Sequence, residues 1–74
     1  MKLSRLELER FMLAYKDYKE TDDTTLWFES QNYLERFGIP TGLIETLIDM
    51  EISQDKIEGI LTILEVEVVW KKVN

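Results

Sequence analysis

A mainly α-helical fold is what this sequence predicts: one small domain over residues 1–74, built of about four short helices. Three observations lead there. Apolar residues recur at i, i+3, i+4 and i+7 along most of the chain, the spacing of one helix face. Glycine and proline are sparse, three and one, so few points interrupt that pattern. The interruptions that do occur carry helix start and stop chemistry.

The first helix runs from Leu3 or Arg5 to Tyr18. SRLE reads as a capping box, Ser4 as N-cap with Glu7 reaching back to it. Leu8, Phe11, Met12, Tyr15 and Tyr18 make one broad apolar face. Leu6 and Leu13 lie nearly opposite, stacked on one line by their seven-residue separation. A helix with two apolar faces is either sandwiched within the fold or offers its second face to a partner.

KETDDTT is a polar turn, because Asp and Thr side chains compete for backbone groups and favour turns and caps. The second helix follows over Thr25–Phe37, with Leu26, Ser30, Tyr33, Leu34 and Phe37 inward and Trp27 at the margin. Phe28, about 200° from Leu26 around the helix, is expected to protrude among polar groups. FGIP stops the helix, Gly38 taking the left-handed cap and Pro40 refusing continuation. The third helix spans Thr41–Met50, with Leu43, Ile44, Leu47, Ile48 and Met50 on its apolar side. Ser53 caps the fourth, whose stripe is Ile57, Ile60, Leu61 and Leu64.

The tail, residues 66–73, reads two ways. Val66, Val68 and Trp70 alternate as in a strand, yet Leu64 to Val68 also continues the helical stripe. A lone strand needs a partner, and no second strand is evident, so the balance favours a longer last helix or a short extended tail. No internal repeat is visible.

Composition narrows the function. The chain has no cysteine and no histidine, which removes the disulfide, the thiol nucleophile, the commonest general base and the commonest transition-metal ligands. Its serines therefore have no imidazole to activate them, and the prediction is a non-enzymatic protein without catalytic residues, cofactor or metal. The segment starting at Asp17 fails as a calcium loop: Lys19 and Thr21 fill the third and fifth positions, and Phe28 the twelfth. The opening MKLSRLELERF is broken by charge and lacks the apolar core of a secretory signal. No apolar run reaches the roughly 20 residues that span a bilayer. A cytoplasmic protein with no membrane partner is the expectation.

Net charge is −6, unevenly placed: residues 1–19 carry +2, residues 20–69 carry −10, and Lys71 and Lys72 restore +2. Such a field repels nucleic acid and favours basic partners. Helices two to four resemble a helix-turn-helix arrangement, but the candidate recognition helix sets Asp55, Glu58 and Glu65 against one Lys56, so direct DNA contact is not expected. The sequence points instead to a small acidic protein that binds and modulates another protein, as an inhibitor or immunity-type protein occupying a basic, nucleic-acid-binding site. The alternative is an assembly subunit acting by homo-oligomerisation, and the third is a helix-turn-helix-like regulatory module. Expected partner-binding residues are Asp22, Asp23, Trp27, Phe28, Glu45, Asp49 and Glu58, the last three on solvated faces where charge reversal leaves the fold intact. Leu6 and Leu13 are the expected oligomer seam.

Overall fold

Four helices lie between two three-residue strands in the computed structural model, which describes residues 1–70. The order is β1 (Lys2–Ser4), α1 (Arg5–Thr21), α2 (Thr25–Glu35), α3 (Thr41–Asp49), α4 (Gln54–Ile63) and β2 (Glu67–Val69). The mainly α expectation therefore holds. The tail forms the short strand, and the longer last helix is not made; residues 71–73 lie outside the described residues. The missing second strand is β1. It pairs parallel with β2 in the register Lys2↔Glu67, Leu3↔Val68, Ser4↔Val69.

What stops α4 also stops α2 and α3. Each ends in a residue with left-handed backbone, Gly38 (φ 74°), Glu51 (φ 60°) and Glu65 (φ 66°). In each case the next residue donates its N–H back to a leucine carbonyl: Ile39 to Leu34 at 3.2 Å, Ile52 to Leu47 at 3.0 Å, Val66 to Leu61 at 2.8 Å. The left-handed residue itself donates to the carbonyl three positions back, Glu35, Ile48 and Thr62. This is the Schellman cap, which satisfies carbonyls left open at the helix end and brings an apolar residue over the last turn. The leucines are buried and their β-branched partners are buried or half-buried, so each cap delivers an apolar pair to the core. The hexamers LERFGI, LIDMEI and LTILEV are thus one local device used three times, a periodicity that the sequence reading missed. α1 ends on the simpler left-handed cap, with Asp22 (φ 61°) donating to the Tyr18 carbonyl at 2.8 Å.

The core joins Leu8 and Phe11 of α1 to Leu34, Ile44, Ile57 and Leu61, and is closed by Leu3 and Val66 of the terminal segments. Several boundaries and faces differ from expectation. α1 runs one turn further, to Thr21, and α2 stops two residues short of Phe37. Ser4 is the N-cap residue of α1, but its hydroxyl makes no capping bond and is buried without a partner. As the last residue of β1, its orientation follows the strand. Glu7, the other half of the expected box, lies 3.8 Å from Arg10 instead. Leu26, Phe37, Met50 and Leu64 are exposed rather than inward. Met50 and Leu64 sit at helix C-caps, where the chain turns away from the apolar stripe.

The caps generate a test. Glutamate has a Cβ that left-handed backbone crowds, at a cost of roughly 1–2 kcal/mol that glycine does not bear. Glu65→Gly is expected to stabilise the protein by about 1 kcal/mol and Gly38→Ala to destabilise it by about as much, read from denaturant melts. A destabilised Glu65→Gly would show that the side chain, not the backbone conformation, governs that cap.

Candidate functional site

The residues expected to bind a partner separate into distinct local roles. Asp23 Oδ1 accepts the Thr25 N–H at 3.0 Å, so its carboxylate satisfies the first N–H of α2 from one residue before the N-cap Thr24; that bond favours the charged form and lowers its pKa. Asp22 is the left-handed end of α1. Trp27 donates from Nε1 to Glu45 Oε2 at 2.8 Å and stacks on Tyr18 at 4.3 Å between centroids. Phe28, exposed as expected, stacks on Trp27 at 4.8 Å. The adjacent aromatics thus divide: Trp27 packs half-buried against the core, and Phe28 covers it from outside.

Glu45, Asp49 and Glu58 are not free solvated anions. Asp49 accepts both hydrogen-bond contacts of the Tyr15 hydroxyl, at 3.0 and 2.9 Å, and lies 3.3 Å from Lys19 Nζ. Burial, and next the hydrogen bond that the hydroxyl donates to the Asp49 carboxylate, raise the Tyr15 pKa. Lys19 is raised as well, first by its contact with the Tyr15 hydroxyl and then by Asp49. Glu58 approaches Arg5 Nε at 3.1 Å; the direction does not meet hydrogen-bond geometry, and the contact is an ion pair. Arg5 also reaches Asp55 at 3.3 Å and lies 3.9 Å over the Trp70 ring, so one guanidinium ties α1 to α4 and to the chain beyond β2. The expectation that reversing all three acids leaves the fold intact is therefore revised. Trp27, Phe28, Glu45 and Asp49 share one corner through the aromatic cluster, and Glu58 belongs to another.

An open surface flanked by exposed leucines lies elsewhere. α1 and α2 run antiparallel: Trp27 contacts Tyr15 and Tyr18, whereas Tyr33 and Phe37 lie beside Glu7 and Lys2. Between them lies a groove of about 750 Å³. Leu6 and Leu13 of α1, 62% and 68% exposed, and Leu26 of α2, 60% exposed, stand along it. Ala14 and Ser30, both small, line it between those walls, and Tyr33 lies further along. The described residues do not cover the Leu6–Leu13 line, so the sandwiched alternative for α1 is set aside. Leu26 joins the groove because Trp27, one position on, is held inward by Glu45 and Tyr18, with Leu34 two turns later on the same side. Sequence reasoning set Leu26, Ser30 and Tyr33 inward and so missed the second wall.

The rim is mostly acidic: Glu7, Glu9 and Asp17 on α1 and Glu29 on α2, against Arg10. Arg10 is drawn toward Glu7. Asp17 and Glu29, beside the exposed leucines on opposite walls, enter no ion pair among the described residues. Among those residues there is also no group of three potential metal ligands and no helix long and apolar enough to cross a membrane. Comparison with protein-family models, with curated proteins and with solved structures finds no match.

Two predictions follow from the ionic contacts. Because the Tyr15 and Lys19 pKa values are raised on folding, their stabilisation is complete below the ordinary tyrosine value of 10.0 and is lost as pH rises through the folded values. Denaturant melts between about pH 8 and pH 11 should show a smaller alkaline loss in Tyr15→Phe than in the wild type. Equal losses would remove Tyr15 from the alkaline transition. Glu58→Lys, which sets a cation against the largely buried Arg5, should cost about 2 kcal/mol at pH 7. A change within about 0.5 kcal/mol would return Glu58 to the class of free surface charges.

Proposed function

We propose that this is a non-enzymatic, stoichiometric protein-binding module that acts in the cytoplasm and engages its target through the α1–α2 groove. The observation that carries the reading is the cluster of three leucines, each more than half exposed, around one elongated groove. Single exposed apolar residues are ordinary on a protein surface, but three gathered around one groove with a polar rim are what a contact site offers. The acidic rim and the net charge of −6 favour a basic target. The sharper form of the reading is an inhibitor or immunity-type protein that occupies a basic, nucleic-acid-binding site on its target. The aromatic corner of Trp27 and Phe28 is a secondary contact at most, since its carboxylates are engaged within the fold.

Homo-oligomerisation is the second reading, favoured by the exposure of both Leu6 and Leu13. Two like-charged rims brought together oppose it.

A photo-crosslinking side chain at Leu13 is expected to give one defined adduct in the source cell, and the same group at Ile63 none. Ile63 is the control because it is 80% exposed but stands outside the groove. Equal labelling at both positions would reduce the groove to apolar exposure alone. An adduct of twice the chain mass would establish the oligomer instead.

A further inference from the structure

We infer that the occupant of the α1–α2 groove is an amphipathic helix of another protein, apolar on one stripe and basic on both flanks. This rests on the proposal that the groove is the docking surface and adds the chemistry of what docks.

Shape specifies the helix. Leu6 and Leu13 are two turns apart, about 10 Å along the α1 axis, and a ligand helix carrying apolar residues at the same interval meets both. The small side chains of Ala14 and Ser30 lie between α1 and α2. There a third helix can bring its apolar residues to the roughly 8–10 Å interaxial distance of packed helices. An extended strand does not use this surface well, because it presents alternate residues to opposite sides and gains no backbone partners from helices that are already hydrogen-bonded.

Charge specifies the flanks. Asp17 on one wall and Glu29 on the other stand beside the exposed leucines without an ion-pair partner among the described residues. A helix seated between the walls places the residues bordering its apolar stripe next to both carboxylates at once. Lysine or arginine on both borders completes those pairs, and glutamate there sets like charges together. The same reasoning disfavours a second copy of this chain. The outward stripe of α1 that would meet it carries three acids, Glu9, Asp17 and Glu20, against Lys16 and Arg10, and Arg10 is already drawn to Glu7.

The test uses three synthetic peptides of about 18 residues, or five helical turns. The first has leucines on one stripe and lysines elsewhere. The second has the same stripe with glutamates. The third has the composition of the first in scrambled order. Binding is followed by calorimetry at physiological salt, and the site by backbone amide shifts of the full chain. The expected result is one-to-one binding of the first peptide, with shifts centred on Leu13, Ala14, Leu26 and Ser30. Binding should weaken about tenfold or more in Leu13→Asp, whose fold is checked by circular dichroism. The glutamate and scrambled peptides should bind at least about tenfold more weakly than the first. Equal binding of the scrambled peptide, or an unchanged affinity in Leu13→Asp, would reduce the interaction to charge attraction and overturn the proposal. If the glutamate peptide binds the groove equally well, or the chain sediments as a dimer with the groove amides shifted by concentration alone, the basic helix is wrong but the groove remains the docking surface. If no peptide moves the groove amides and the Leu13 crosslinker gives no adduct, both readings fall together.

Discussion

The left-handed helix cap is the constraint on which the rest of this structure depends. Each of the last three helices is short, and a short helix owes its stability to packing rather than to propensity. The cap supplies that packing locally. It reverses the chain in one residue and brings Ile39, Ile52 or Val66 back to a leucine within the helix's final turn. Leu34, Leu47 and Leu61 with these partners contribute about half of the central apolar cluster. Helix termination and core formation are here one event, which lets a chain without disulfide or metal-ligating histidine assemble an interior from helices of eleven, nine and ten residues.

The third cap does more than end α4. By turning the backbone at Glu65 it converts what would have been a fourth turn of apolar stripe into an extended segment. Val66 enters the core, and Val68 comes beside Leu3. Parallel strands require a crossover, and the crossover here is the whole helical body. Arg5, the first residue after β1, adds ionic contacts to Asp55 and Glu58 of α4 beside that junction. The two ends of the described chain are thus joined by apolar, hydrogen-bonded and ionic contacts together.

Helix number and class were legible in the sequence because 3.6-residue periodicity survives in every segment and the stop at Gly38 is chemically explicit. The strands were not, since β1 is three residues long and merges into the start of α1, where Ser4 resembles a capping residue. Glu51 and Glu65 were illegible as caps because left-handed glutamate is uncommon, although the recurrence of leucine followed five residues later by isoleucine or valine could have revealed them. Half of the groove was visible: Leu6 and Leu13 stand apart from the Leu8–Phe11 face by spacing alone. The other half turns on the roll of α2 about its axis. That roll is set by the Trp27–Glu45 bond across eighteen positions and by stacking on Tyr18, which no local pattern encodes.

The pairing of the two ends also orders events in time. Contacts between α1 and α2 close across a three-residue turn, and the three caps close within single hexamers, so these form on the fast, local timescale of helix–turn assembly. Strand pairing joins residues near opposite ends of the chain and cannot form until both have been synthesised. In synthesis from the N-terminus, the contact that seals Leu3 and Val66 over the core therefore waits for the last described strand.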